Sequence, residues 1–384
     1  MKKAIFVMLL VVALTLTGCS WMDGTYVSVT PHREQDTFTN QRIVSASNYN
    51  ELRSVLEKMI QSGTESTVIN VAQYNQNLVA NAIENAVRYI QYTDPLGVYA
   101  VDEITYEVGT NAGRPAIAVN ITYLRSRIEI QKVRTVTTMD EASAAITAAL
   151  DNCDPSIVLL VERYSEMDFA QLVDDHAAEN PQSVMELPQV NAAAYPEAGV
   201  SRVIELTFSY ENSRENLRLM QNQVAPVFAS AALYVSGDGS DYQKYSQLYA
   251  FLMERFDYEI TTSITPAYSL LRHGVGETRA FATVFAAMCR RAGLDCQVVT
   301  GTRDGEPWNW NIVKDGENYL HVDLIRCSQT GGFRECSDGE MVGYVWDYSA
   351  YPACTHPEPQ LPPEEQPTET QNSTDHAGET KPEK

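Results

Sequence analysis

The stretch "GVGETRAFATVFAAMCRRAGLDCQVVTG", Gly274 to Gly301, constrains this chain more than any other part of it. Phe281, Val284, Phe285 and Met288 fall at i, i+3, i+4 and i+7, the buried face of one helix starting near Thr278. Gly293 stands where such a helix ends in the left-handed C′ conformation, and "CQVVTG" reads as a short apolar strand. A glycine turn, a helix and a buried strand in this order form the approach to a cleft. A nucleophile would profit most from the positive end of the helix dipole, where the turn meets the helix. That place holds Thr278, while Cys289 and Cys296 lie further along.

The flanks extend the pattern. "SDYQKYSQLYAFLMERFDYE", Ser240 to Glu259, is an amphipathic helix with Tyr245, Leu248, Leu252 and Phe256 as its stripe and Ser240 as N-cap. "WNWNIVKDGENYLHVDL", Trp308 to Leu324, is a hairpin turning at Asp315-Gly316. Alternation puts Trp308 and Trp310 on one strand face and Asn309 and Asn311 on the other. His321 shares a face with Asp323, and His273 is expected to be exposed.

The first two-thirds read as an internal duplication. Helix "NYNELRSVLEKMI" (48–60), strand "TVINV" (67–71) and helix "NLVANAIENAVRYI" (77–90) lead to strands "GVYAVDEITYEV" (97–108) and "AIAVNITYLRSR" (116–127). The order recurs in helix "TMDEASAAITAAL" (138–150), strand "SIVLLV" (156–161), helix "MDFAQLVDDHAAE" (167–179) and closing strand "SRVIELTFSYENSR" (201–214). Tyr123/Tyr210, Ser126/Ser213 and Arg127/Arg214 match at one constant offset. Nothing here asks for chemistry: His176 is expected to be solvated on a polar helix face, and Cys153 to be buried or paired.

At the N-terminus, Lys2 and Lys3 precede the apolar run Ala4 to Leu16, too short for a span of roughly 20 residues. "LTGC", Leu16 to Cys19, resembles a bacterial lipoprotein box, which implies a diacylglycerol on Cys19 and a chain held outside the cytoplasm at a cell membrane. A net charge of −22, from 50 acidic and 28 basic side chains, excludes a nucleic-acid partner. Without Cys19 the cysteines are Cys153, Cys289, Cys296, Cys327, Cys336 and Cys354, in a compartment that permits disulfides. Cys327 and Cys336 bracket Gly331-Gly332 and are the expected pair. No C-x-x-C or His/Cys cluster has metal-ligand spacing, so neither a metal nor a cofactor is expected.

Together "FDYE", "AYSLL", "AFATVFAAMCRRAGLDCQVVTG" and "WNWNIVKDGENYLHVD" resemble, in order and spacing, the bacterial transglutaminase-like domain of the papain-like cysteine superfamily. The resemblance covers Ser240 to Tyr348 and implies a Cys-His-Asp triad. Carried over residue by residue, the nucleophile position falls on Thr278, the base position on Trp308 and the orienting acid on Asp323. Only the acid matches the family. Cys289 then reads as core packing and Cys296 as a disulfide partner or a core thiol.

The expected fold class is α+β: two tandem α+β repeats followed by a papain-like α+β domain. The expected divisions are signal peptide and lipobox 1–19, tether 20–42, first repeat 43–134, second repeat 135–224, transglutaminase-like domain 225–355, and disordered Pro/Glu/Thr-rich tail 356–384. Two functions remain open. One is a degenerate, non-catalytic domain that binds an envelope peptide, protein or glycan, with Trp308, Trp310 and Asn309 lining the cleft. The other is an active cysteine-type amide hydrolase or acyl transferase. Trp308 either binds a ligand or plugs the cleft.

Overall fold

A computed structural model describes residues 43–260 and 265–356. Cys19 with its lipobox, the tether 20–42 and the tail from residue 357 lie outside the described residues. The fold is mixed α+β and gathers into two compact units. One holds the described residues up to Thr135 with Leu160–Tyr164 and Ala194–Val203; the other holds Val136–Leu159, Ser165–Ala193 and the described residues from Ile204 on.

The first segment runs β1 (Ile43–Ser45), α1 (Tyr49–Ser62), β2 (Ser66–Asn70), α2 (Val79–Tyr92), α3 (Pro95–Ala100), β3 (Val101–Asn111), β4 (Arg114–Tyr123) and α4 (Arg127–Lys132). Its sheet has the order β1-β2-β4-β3. Asn48 caps α1, and Leu52, Leu56, Met59 and Ile60 form its buried stripe. One correction concerns Gly97–Ala100, read as strand from its alternation. These residues are helical, because Asp94 caps the Gly97 N–H at 2.7 Å, Pro95 presets the first turn, and Gly97 lies against the Ile90 backbone, where a Cβ has no room.

The second segment runs β5 (Arg134–Val136), α5 (Met139–Asp151), β6 (Ser156–Val161), α6 (Phe169–Glu179), β7 (Gln189–Tyr195), β8 (Arg202–Ser209) and α7 (Arg214–Tyr234), with sheet order β5-β6-β8-β7. The sequence reading missed β7 and α7. Mostly exposed "QVNAAAY" gives no period-2 signal, and Pro226 sits inside α7, whose core contacts reduce to Leu217, Val224, Phe228 and Ala231. Ser126 and Ser213, paired by the constant offset, each cap the next helix, at Glu129 and Asn216. His176 is not solvated. Its Nε2 lies 2.8 Å from Asp151 Oδ1, pinning α6 to α5.

The last third packs α8 (Asp241–Met253), α9 (Pro266–His273), α10 (Thr278–Arg291) and α11 (Leu324–Thr330) on a sheet of order β13-β12-β11-β14. Its strands are β11 (Cys296–Arg303), β12 (Glu306–Asp315), β13 (Asn318–Val322) and β14 (Tyr344–Trp346). The short parallel pair β9 (Asp257–Tyr258) and β10 (Val275–Gly276) leads into α10. Phe281, Val284, Phe285 and Met288 are buried, each worth about 1.5–3 kcal/mol relative to exposure. Gly293 at φ +75° ends the helix as read, while β12–β13 turns at Gly316-Glu317, one residue beyond the expected Asp315-Gly316, because Asp315 still pairs with Asn318 and Gly316 takes φ +60°. Buried Tyr245 of α8 donates to Asp295 O at 2.6 Å and Lys314 O at 3.1 Å, locking that helix to the far ends of β11 and β12.

The expected Cys327–Cys336 disulfide is not formed; all six described cysteines are free thiols and buried. Cys327 lies on the buried side of α11 and turns its Sγ to Arg334 O at 3.5 Å, while the Cys336 backbone pairs with His321.

Candidate functional site

Thr278 opens α10 but does not cap it. Glu277 takes the N-cap position without a side-chain bond. Thr278 is 7% exposed, and its Oγ1 accepts the Asn309 N–H at 3.2 Å. β13 ends at Val322 opposite Asn311, so the Asn309 N–H beyond it goes to this hydroxyl instead of a strand. Asn311, one pleat further in, donates to Ala282 O at 2.9 Å and to Gln297 O at 3.3 Å, which fixes α10 against β12 and β11. The helix start and residues 308–309 are therefore held side by side, where the resemblance places nucleophile and base.

Trp308 is half-buried, and its Nε1–H donates to Asp323 Oδ2 at 2.8 Å. Asp323, 4% exposed, also accepts the Tyr344 hydroxyl on Oδ2 at 2.6 Å and the N–H groups of Ile325 and Arg326 on Oδ1 at 3.0 Å each. It is thus the N-cap of α11 as well as the acceptor for Trp308. Burial, and then the Asp323 charge, push the Tyr344 hydroxyl above its ordinary pKa, so it remains a donor. Arg303 lies over the Trp308 ring at 5.1 Å and the Tyr344 ring at 5.6 Å. Tyr258, 40% exposed, leans on Trp308 with ring centroids 6.0 Å apart. Sequence reading missed Tyr258, Arg303 and Tyr344. Asp304-Gly305 turns the β11–β12 hairpin that brings Arg303 to Trp308, Tyr344 arrives with β14 beside β11, and Tyr258 comes from the separate β9–β10 pair, which no local motif marks.

Two other expected members are elsewhere. Trp310 shares the strand face of Trp308 but is 1% exposed, packed edge-on against Tyr344 at 5.2 Å and Trp346 at 5.7 Å. It belongs to the core, because β14 pairs beside β11 and packs its Tyr344 and Trp346 side chains against it. His321 is fully buried beside it and does not reach the cleft. Trp310 Nε1–H donates to His321 Nδ1 at 2.9 Å; an indole nitrogen only donates, so the neutral imidazole carries its proton on Nε2, facing Asp338 Oδ1 at 2.9 Å. Asn309 does border the cleft, but its Nδ2 is engaged by Thr300 Oγ1 at 2.9 Å and Val299 O at 3.3 Å.

His321, Asp338 and Cys354 place their ligand atoms within 4.8 Å of one another. This trio is closed by its own bonds. The proton on His321 Nε2 points at Asp338, whose other oxygen accepts the Cys354 N–H at 3.1 Å. Burial dominates the thiols: it pushes Cys327 up to about 11 and Cys354 up to about 12. Cys153 and Cys336 are also raised by burial, and burial, then its neighbour Cys296, holds the Cys289 thiol well above its ordinary value. Thiols held this way stay protonated near neutral pH.

Residues 229–336 match the family model of the transglutaminase-like superfamily. Among solved structures, one described as a TGase is 11% identical, with 56% of this chain and 63% of that one covered and a TM-score of 0.25. A candidate cysteine protease from Cytophaga hutchinsonii is 12% identical over 41% of this chain and 70% of that one, also with a TM-score of 0.25. A candidate protease from Parabacteroides distasonis is 10% identical over 47% and 44%, with a TM-score of 0.21. None of the curated proteins compared with the chain matches it. A transglutaminase-like domain thus occupies residues 229–336.

Proposed function

We propose that this is a lipid-anchored, extracytoplasmic protein whose transglutaminase-like domain binds rather than reacts, as a binding or scaffold module at the cell envelope. The bond from Trp308 Nε1 to Asp323 carries the reading. An indole N–H stands where the family holds its base, and indole neither takes up nor releases a proton near neutral pH. The nucleophile position is substituted by Thr278, whose hydroxyl already accepts the Asn309 N–H and has no base at Trp308 to activate it. What remains at the surface is a stacking platform of Trp308 and Tyr258, suited to a peptide or a sugar.

No cofactor enters this reading. The membrane contact is the diacylglycerol expected on Cys19, and the net charge of −22 disfavours nucleic acid. Among the described residues no helix is long and apolar enough to cross a membrane. Cys19→Ala is expected to release the protein from the membrane fraction or stall its processing; normal processed mass with retained membrane binding would overturn the anchor.

Two assays test the function. With glutamine-containing peptides and a fluorescent primary amine, wild type is expected to show neither amine incorporation nor amide cleavage above background, since loss of nucleophile and base together costs on the order of 10⁶ in rate. On a peptide array, Trp308→Ala is expected to lose binding while its unfolding midpoint shows a fold retained. Turnover by wild type that disappears in Thr278→Ala would establish the enzyme reading. An array with no Trp308-dependent binder would make Trp308 a plug.

A further inference from the structure

Arg303 ends β11 with its side chain only 24% exposed, yet the guanidinium makes no hydrogen bond among the described residues. Its nearest carboxylates, Asp304 and Asp323, both stand 3.8 Å away, beyond hydrogen-bonding distance. Asp323 cannot close on it. Trp308, Tyr344, Ile325 and Arg326 already supply four donors, about the number of lone-pair positions that a carboxylate has. Asp304 is a turn residue at φ +53° with its side chain 77% exposed. The guanidinium is instead held by the faces of Trp308 and Tyr344 at 5.1 and 5.6 Å. A planar fork of five N–H donors, fixed in place and unbonded, is the geometry that receives a carboxylate in bidentate fashion.

We infer that the cleft takes a carboxylate of its ligand on Arg303, with the adjoining part of the ligand against Trp308 and Tyr258. This rests on the binding reading above and adds the ligand class. A peptide fits better than a glycan. β14 is the edge of its sheet, Tyr344 pairs with Arg303 in register, and Val345 beside it is 64% exposed, so an extended backbone can add there next to the guanidinium. One carboxylate is the limit, because a polyanion would be repelled by a chain of net charge −22. Its source is either a peptide C-terminus or an Asp/Glu side chain.

The test titrates detergent-solubilised full-length protein with three probes: N-acetyl-phenylalanine, N-acetyl-phenylalaninamide and N-acetyl-aspartyl-phenylalaninamide. At least one carboxylate probe is expected to bind roughly 10- to 100-fold more tightly than the neutral amide, the range for a hydrogen-bonded charged pair. Which of the two does so identifies the source. The gap should vanish in Arg303→Gln and partly persist in Arg303→Lys, which keeps the charge if the glutamine variant does not fold. Equal affinity for all three probes, a gap that survives in Arg303→Gln, or no binding of any probe overturns the carboxylate inference. Equal binding that still depends on Trp308 does so while leaving the binding reading intact; the peptide array decides that reading separately.

Discussion

Trp308 and Asp323 are joined by a single 2.8 Å bond from an indole nitrogen to a carboxylate that also starts a helix. The residue that the resemblance places at the acid position therefore has structural work independent of catalysis. It holds the aromatic floor of the cleft and the first turn of α11 with one side chain.

Asp323→Ala should consequently be far more destabilising than a lost catalytic acid would be. It strands the donors of Trp308, Tyr344, Ile325 and Arg326, each unsatisfied buried group costing about 1–3 kcal/mol. We expect a loss of at least about 3 kcal/mol in urea unfolding, with Asp323→Asn costing less because one acceptor oxygen remains. A cost below about 1 kcal/mol for the alanine variant would show that these donors find other partners.

The pH dependence of stability should carry two opposed contributions. His321 is pushed below its ordinary value by burial, with Asp338 opposing, and a second proton would have to sit on Nδ1 against the Trp310 N–H. The unfolded state then binds that proton more readily, so the His321 contribution is complete above about pH 6.5 and is lost as pH falls below it. Glu335 runs the other way. Burial and then Asp315 raise it to about 7, and its Oε1 is buried without a partner. Its contribution is present at low pH and lost as pH rises through about 7. Glu335→Gln should be more stable than wild type near pH 8 and nearly equal near pH 4.5. In that variant the urea midpoint should fall steadily from about pH 7 to about pH 5. A flat midpoint there would mean that His321 is not held neutral.

The parts of the fold visible in sequence were those with local periodicity or turn chemistry. Phe281, Val284, Phe285 and Met288 gave α10, Asp315-Gly316 gave the hairpin, and Ser240 gave the cap of α8. The site was legible only as positions. Strand alternation put Trp308 and Trp310 on one face correctly, but how far each is buried depends on β14, whose Tyr344 and Trp346 rings enclose Trp310 while Trp308 only packs against their cluster and stays half-buried. Arg303 meets Trp308 across the Asp304-Gly305 turn of the β11–β12 hairpin, a local turn signal that the sequence reading passed over, whereas Tyr258 comes from the separate β9–β10 pair, far from Trp308 in sequence. Pro226 hid α7, and the Asp94-Pro95 start hid the short helix before β3.

Thiol chemistry supplies a further test. In the native protein, 5,5′-dithiobis(2-nitrobenzoate) should react with none of Cys153, Cys289, Cys296, Cys327, Cys336 and Cys354 faster than the chain unfolds, and all six should react in urea. One thiol labelled within seconds near pH 7 would favour the cysteine-enzyme reading. A mass two hydrogens short after non-reducing digestion would show a disulfide that the structure does not contain.

Restoring the family pattern is the sharpest prediction. Indole Nε1 and imidazole Nε2 occupy the same place in their five-membered rings, two atoms from Cγ. In Trp308→His, Nε2–H can therefore take over the bond to Asp323 Oδ2, leaving Nδ1 as an acceptor for a proton. Thr278 is the first residue of α10, so a cysteine there gains the positive end of the helix dipole. Its neighbour in space is the 308–309 stretch, as the bond from Asn309 N–H to Thr278 Oγ1 shows. Thr278→Cys alone should give a slow thiol, because Trp308 cannot accept its proton. Adding Trp308→His should lower the thiol pKa from its ordinary value of about 8.5 toward or below 7. Iodoacetamide labelling followed from about pH 5 to pH 9 measures this directly, with the single variant as reference. The double variant should label at least about ten-fold faster near pH 6.5, where the reference thiol is almost entirely protonated. Equal rates in the two variants would mean that residues 278 and 308 do not face one another, and the assignment of the cleft to these positions would fail with them.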